Sequence, residues 1–192
     1  AARAIKSGDT QLMLAGGVES MSRSPFVVPK ATTAFSRSNS IEDTTIGWRF
    51  INPVMREMFG VDAMPATAEN VADDFNISRE DQDIFALASQ EKYAAAHNAG
   101  FFKDEIVSIS VPQRRGDPII FDTDEHPRAT SMEALAKLKA IVRPDGTITA
   151  GNASGVNDGA AVALLANKQM VERFGLTPKA RVVAMATAGV AP

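Results

Sequence analysis

The sequence predicts an α/β chain, and three observations carry that reading. Helical periodicity alternates with uninterrupted apolar runs, capping boxes led by Ser78 and Thr130 open helices, and Gly-, Asn- and Asp-rich turns close the runs. With 192 residues the chain has room for one domain, or one large and one partial domain, and its 45% hydrophobic content supports a real core.

Ala1-Ala2-Arg3-Ala4-Ile5-Lys6 has the pattern of the end of an amphipathic helix rather than a native start. Leu12-Met13-Leu14-Ala15 is too short for a buried helix and is closed by Gly16-Gly17, the turn signal that ends a buried strand. From Ser20 to Pro65 no period holds for long. Phe26, Phe35, Ile46, Trp48, Phe50, Ile51, Met55, Met58 and Phe59 nevertheless keep the segment too apolar for a disordered linker. It is expected to be ordered and irregular, with one short helix around Pro53 to Phe59; such a long ordered loop is usually functional or interfacial.

Ala68, Val71, Ala72 and Phe75 recur at helical spacing and predict one apolar face. Ser78-Arg79-Glu80-Asp81 is a capping box, because the Ser78 hydroxyl can accept from first-turn amides. The helix it opens should turn Ile84, Phe85, Ala88 and Ala95 inward and stop at Asn98 or by Gly100. Val107, Ile109 and Val111 alternate with serines, a half-buried strand. Arg114-Arg115-Gly116-Asp117 turns the chain, and Ile119-Ile120-Phe121 returns antiparallel. Thr130-Ser131-Met132-Glu133 is a second capping box, opening a helix that buries Met132, Leu135, Ala136 and Leu138. Ala160 to Ala166 is a continuous apolar strand whose lack of alternation predicts cover on both faces. Lys168 to Phe174 is a short helix closed by Gly175, and Arg181 to Ala188 a last strand. The final Ala188-Gly189-Val190-Ala191-Pro192 stops straight after an apolar run, so both ends are expected to be cut from something longer.

The net charge of −3 argues against a general nucleic-acid binder, which carries a basic excess. No apolar run approaches the length of a bilayer span, and no signal peptide is visible. With no cysteine, the chain holds no disulfide, thiolate metal site or thiol nucleophile. Its two histidines, His97 and His126, are too isolated for most zinc sites. His97, late in a helix, complements the helix dipole. Asp122-Thr123-Asp124-Glu125 lacks a calcium-loop pattern and is read as a solvated loop. Walker A, GxGxxG and Gly-x-Ser-x-Gly signatures are absent.

Gly151-Asn152-Ala153-Ser154-Gly155-Val156-Asn157-Asp158-Gly159 is the densest run of small and turn-forming residues, and the leading functional candidate. Small side chains of this kind suit a narrow ligand tunnel; an ordinary tight turn before a strand explains the same composition. Arg114, Arg115, Arg128, Lys137, Lys139 and Arg143 surround the central loops, facing either phosphates or solvent. Arg128, beside a helix start, is the first choice for a phosphate because of its forked guanidinium.

Several segments then resemble one family, in order and at matching spacings. Ala15-Gly16-Gly17-Val18-Glu19-Ser20-Met21-Ser22 resembles the thiolase strand and turn that follow the nucleophile helix. Met64 through Asn70, with Thr67-Ala68-Glu69-Asn70, is similar to the start of a loop-domain helix. Thr149 to Gly155 with Asn157-Asp158-Gly159-Ala160-Ala161 resembles the most diagnostic internal motif of the family, and Arg181-Val182-Val183-Ala184 into Ala188-Gly189 resembles the start of its second half. The resemblance implies a thiolase-like layered α/β/α/β/α fold, here only part of the N-terminal half with its inserted loop domain. Residues 1–24 would be the late part of that half, 25–147 the loop domain, 148–175 its last strand and helix, and 176–192 the start of the C-terminal half.

Thiolases cleave a 3-oxoacyl-CoA with free CoA or run the reverse condensation, and need a thiolate nucleophile, an activating His and a second Cys. The resemblance implies that the first Cys lies before Ala1 and the remaining groups beyond Pro192. Neither His97 nor His126 matches a catalytic position, so this chain holds no catalytic residue and is expected to be inactive alone, a CoA-binding or scaffold piece. The CoA contacts carry over. Ser154 matches the serine that bonds the pantetheine arm, Ala150, Gly151 and Ala153 match small tunnel residues, Met64 matches a methionine near the acyl end, and Arg128 matches an arginine near the adenine nucleotide, with one gap. Coenzyme A is implied as substrate with no further cofactor, in a cytoplasmic homodimer or homotetramer that uses neither nucleic acid nor membrane. Ala63 replaces the His that many members carry before the methionine, which puts acetoacetyl-CoA specificity in question.

Asp43-Thr44-Thr45-Ile46-Gly47-Trp48-Arg49-Phe50 is similar to the β-ketoadipyl-CoA branch of the family, from bacterial aromatic degradation. That substrate ends in a carboxylate, for which Arg49 or Arg37 is a candidate partner; an oligomer contact or surface charge explains either arginine equally.

Overall fold

A computed structural model describes residues 1–189. In chain order its elements are α1 (Ala2–Ser7), β1 (Leu12–Ser20), a 3-10 turn (Met21–Arg23), β2 (Phe26–Val27), β3 (Glu42–Asp43), α2 (Pro53–Phe59), α3 (Met64–Phe75), α4 (Arg79–Asn98), β4 (Ile109–Val111), β5 (Ile119–Phe121), α5 (Met132–Ala136), β6 (Asp158–Ala166) and α6 (Lys168–Phe174). By their contacts the residues form two units. One comprises residues 1–45, 49–60 and 156 onward, and the other residues 46–48 and 61–155.

In the first unit, α1 ends where Gly8 takes a φ of 87°, and β1 and β6 pair antiparallel from Leu12 opposite Ala166 to Ser20 opposite Asp158. Two expectations are corrected here. Gly16-Gly17 do not end the strand; β1 runs through them, since a residue without Cβ lets the facing chain approach. A Cβ on Gly16 would lie 2.5 Å from the Ala161 carbonyl oxygen. Nor are the strands buried within this chain: Leu14, Val18 and Val162 are 70%, 80% and 71% exposed, because a two-stranded sheet offers its faces no cover.

The irregular segment holds the short pairing of β2 with β3, which sequence reading missed, and α2 over the expected residues. Asn52 caps α2 by accepting from Val54 N at 2.9 Å, with Pro53 preset for the first turn. Helix α6 occupies the expected span; Asn167 caps it, Gly175 closes it at φ 60°, and Met170 beneath it is buried. Arg181 to Ala188 forms no strand, since among the described residues none pairs with it; the stretch is tied by Lys6 Nζ donating to the Val183 carbonyl at 3.1 Å. The last three residues of the expected apolar ending, Val190-Ala191-Pro192, lie outside the described residues.

In the second unit the cap reading holds at α4: the Ser78 hydroxyl accepts from Asp81 N at 3.0 Å. The helix stops at Asn98, with Gly100 at φ 76° two residues on. The helical faces are corrected. Val71 and Phe75 on α3, and Ile84, Phe85 and Ala95 on α4, are exposed, while Ala72 and the polar Glu69 and Asp83 are buried. Strands β4 and β5 pair antiparallel around Gly116 as expected, yet Ile109 and Val111 stay exposed rather than half-buried, and Ile119 and Phe121 opposite them are exposed too. At α5 the cap is Ser131, accepting from Ala134 N at 3.3 Å, the second residue of the predicted box rather than Thr130 at its head. Leu135 is buried, whereas Ala136 and Leu138 are exposed.

Candidate functional site

The run that sequence reading favoured folds as a turn fastened to α3 and α4 by buried polar side chains. Glu69 on α3 is 1% exposed. Its carboxylate accepts from Thr147 N at 2.8 and 3.0 Å, Ile148 N at 2.8 Å and the Thr147 hydroxyl at 3.0 Å, with Arg143 Nη2 3.7 Å away. A buried carboxylate is tolerable only when donors of this kind replace its water. Burial pushes the Glu69 carboxyl up; the Ile148 and Thr147 amides, the Thr147 hydroxyl and the Arg143 charge outweigh it, leaving the group below its ordinary value. Arg143 in turn donates from Nη2 to both Asp73 oxygens, at 2.7 and 2.8 Å.

Asp83 on α4, also 1% exposed, pairs with Arg79 Nε at 2.8 Å and accepts from Asn152 Nδ2 at 3.2 Å. Arg79 reaches on to the carbonyls of Leu135 at 2.6 Å and Leu138 at 3.2 Å, which ties α5 to the same network. Asn152 closes the turn on itself: its oxygen accepts from Thr149 N at 2.7 Å and its amide donates to the Thr147 carbonyl at 3.0 Å. Thr149 is fully buried, and its hydroxyl accepts from Gly151 N at 3.1 Å.

The structure brings four of the expected residues together on this turn. Ala150 and Ser154 are exposed, and Gly151 and Ala153 half-buried. Among the described residues the Ser154 hydroxyl has no hydrogen-bond partner, so it is open to a ligand. Gly151 is small for a reason of packing: a Cβ there would sit 2.5 Å from both Leu135 Cδ2 and Leu138 Cδ1. Met64 opens α3 with its side chain 77% exposed. Arg128 lies in a separate cleft of about 320 Å³, shared with Leu87, Tyr93, Ala94 and His97 of α4. Its backbone amide donates to Gln90 Oε1 at 2.9 Å, and Tyr93 stacks on His97 with centroids 5.8 Å apart. Arg49 donates to the Thr44 carbonyl and lies near the Asp43 carboxylate; Arg37 is exposed. Among the described residues no His, Cys, Asp and Glu cluster could hold a metal, and no helix is long and apolar enough to cross a membrane.

Sequence reading gave no site role to Glu69, Arg79, Asp83, Thr147 or Thr149, although Glu69, Arg79 and Thr149 fall within segments it singled out, and it read Asn152 as turn chemistry. Signals were present. Glu69 lies three residues before Ala72, on the face read as apolar, and Arg79 and Asp83 have the i,i+4 spacing of a helical pair.

Comparisons with known proteins give the family. The family description "Thiolase, N-terminal domain" matches residues 1–169. The beta-ketoadipyl-CoA thiolase of Acinetobacter baylyi is 57% identical over 193 residues, covering 100% of this chain and 48% of that protein. The 3-oxoadipyl-CoA/3-oxo-5,6-dehydrosuberyl-CoA thiolase of Escherichia coli is 58% identical, with the same coverage. Human mitochondrial 3-ketoacyl-CoA thiolase, solved in complex with CoA, superposes with a TM-score of 0.72 at 34% identity, over 92% of this chain and 42% of that one. The chain thus spans about half the length of the curated relatives it matches. With that match across most of its residues and an α/β framework shared with solved thiolases, the chain belongs to the thiolase family, as part of its N-terminal half.

Proposed function

We propose that the protein to which this chain belongs is an acyltransferase that cleaves a 3-oxoacyl-CoA, 3-oxoadipyl-CoA in particular, with CoA to give acetyl-CoA and a shortened acyl-CoA. The observation that carries the reading is the identity of 57–58% to relatives named for that substrate, sustained over the whole chain. The turn geometry supports it: an open Ser154 hydroxyl on a rigid, small-residue backbone suits a narrow, polar arm such as pantetheine. Ala150, Gly151 and Ala153 are the proposed tunnel wall, Met64 the acyl-end contact and Arg128 the adenine-side contact. Coenzyme A serves as substrate, with no further cofactor, in a cytoplasmic homodimer or homotetramer of the aromatic-degradation route. In the frame of the family, residues 1–24, 148–175 and 176–192 belong to the two halves and 25–147 to the loop domain, an assignment by chain segment rather than by contact.

A second reading concerns the chain by itself, and the lack of any cysteine favours it: 192 residues without a thiol bind CoA or act as scaffold but form no acyl-cysteine. One assay addresses both readings. The purified 192-residue chain is expected to show no cleavage of 3-oxoadipyl-CoA, and the longer protein to cleave it in preference to neutral 3-oxoacyl-CoA chains. Turnover by the short chain refutes the second reading, and no adipyl preference in the long one refutes the substrate. Arg49→Ala or Arg37→Ala in the long protein should erode that preference if either guanidinium meets the distal carboxylate.

A further inference from the structure

We propose that Glu69 and Asp83 are positioning residues for the CoA-facing turn at 147–155, an inference that rests on reading this turn as the seat of the pantetheine arm. Neither carboxylate belongs to the turn. Each reaches it from a different helix and acts through its backbone or through Asn152. Glu69 fixes the start of the turn by taking two consecutive amides and the Thr147 hydroxyl. Asp83 fixes its middle by taking one N–H of Asn152, whose other contacts bind Thr149 N and the Thr147 carbonyl. Ser154 follows two residues later, so its hydroxyl inherits an orientation set at two points behind it.

Stability alone does not account for this arrangement. Buried ion networks are often replaceable by apolar groups of similar volume without loss. What a carboxylate adds is direction: acceptor atoms at defined places, satisfied by one backbone path only. The space around the turn removes the other paths. A Cβ on Gly146 would collide with the Glu69 carboxylate, and one on Gly151 with Leu135 and Leu138. Pre-organised backbone of this kind lowers the ordering cost of ligand binding. The two carboxylates therefore set CoA affinity without touching CoA.

The test measures KM for CoA, kcat and amide exchange over 147–153 in the intact protein that carries this chain, for Glu69→Gln, Asp83→Asn, Thr147→Val and Ser154→Ala. Positioning predicts that E69Q and D83N raise KM about tenfold, the worth of one charge-assisted hydrogen bond. Turnover at saturating CoA should stay within about twofold, the signature of lost binding rather than lost chemistry. E69Q combined with S154A should be no worse than the worse single variant. Faster exchange through 147–153 with wild-type KM overturns the proposal. If E69Q does not fold, T147V decides, since it removes only the Thr147 hydroxyl, which donates to Glu69 and accepts from Gln82 Nε2, each at 3.0 Å. A KM raised about threefold supports positioning, and an unchanged KM in folded T147V overturns it. An unchanged KM in S154A beside a raised one in E69Q supports positioning by the turn and removes only the Ser154 contact. Absence of saturable CoA dependence in the wild type removes the function reading, and this proposal with it.

Discussion

Glu69 and Asp158 perform the same local act in opposite settings. Each carboxylate accepts from a backbone amide and from the hydroxyl of the same residue: Glu69 from Thr147, Asp158 from Ser22 at 2.8 and 2.5 Å. Glu69 is buried and helps hold a turn whose own strand pairing is a single bridge, Ala140 opposite Thr149, with Ile141 N donating to the Ile148 carbonyl at 2.9 Å. Asp158 is exposed and trims the end of β6, whose backbone is already held by nine residue pairs with β1. In one region side chains supplement a single bridge and a few turn bonds in placing the backbone; in the other a nine-pair ladder places it and leaves apolar side chains bare. A ligand contact such as Ser154 gains from the first arrangement, because side-chain donors and acceptors can set a geometry that no repeating ladder offers.

The widest gap between the two regions is expected on removing the buried carboxylate. Glu69→Ala leaves the Thr147 and Ile148 amides without an acceptor and should cost about 3 kcal/mol. Urea unfolding followed by circular dichroism reads this directly. A loss below about 1 kcal/mol would mean that water replaces the carboxylate, and the contrast with the exposed site would collapse.

Glycine sharpens the comparison with a smaller effect. A Cβ on Gly16 meets backbone, the Ala161 carbonyl at 2.5 Å and Val162 Cα at 3.0 Å, whereas a Cβ on Gly151 meets methyl ends of Leu135 and Leu138. Side-chain ends yield and paired backbone does not. Gly16→Ala should therefore cost about 2 kcal/mol and Gly151→Ala about 1 kcal/mol. The reverse order would show that the turn packs more rigidly than the ladder.

What the sequence made legible follows from the range of each interaction. Helix ends were readable because caps are local: Ser78 and Gly175 act within a few residues of the backbone they satisfy. The β4–β5 pairing was readable because Gly116 and its neighbours turn the chain between two short apolar runs. Burial was not. The apolar stripe of α3 predicted a covered face, but what covers a face lies far along the chain, and here the buried group is Glu69, bonded to residues 78 and 79 positions away. Gly16-Gly17 misled for the same reason, since a turn signal and a close strand approach share one composition. At the candidate site Ser154 and its small neighbours were visible as a motif. The carboxylates beneath them were not, because Glu69 and Asp83 acquire their meaning only when the two helices and the turn meet.

The finest distinction between the two carboxylates lies in their response to acid. Donors outweigh burial at Glu69, and at Asp158 the Ser22 hydroxyl, then the Ser22 amide, do the same, so both groups sit below their ordinary values of 4.5 and 3.8. A folded-state value lower than the unfolded one means that the unfolded chain binds the proton more readily. The stabilisation is thus fully present above the ordinary value and disappears as pH falls through the folded one. For Glu69 that window opens below about pH 4.5 and reaches the start of the turn, because a neutral carboxyl is a weaker acceptor for both amides and no longer accepts as strongly from the Thr147 hydroxyl. For Asp158 it opens below about pH 3.8 and reaches only the Ser22 end of the strand pair, where solvent can replace the lost bond. Amide exchange followed down the pH scale should show Thr147 and Ile148 losing protection together, with Glu69→Gln abolishing that step. The β1–β6 amides should hardly change, and Asp158→Asn should leave their profile as it was. Equal acid sensitivity of the two regions would show that the ladder depends on its terminal carboxylate as much as the turn depends on its buried one.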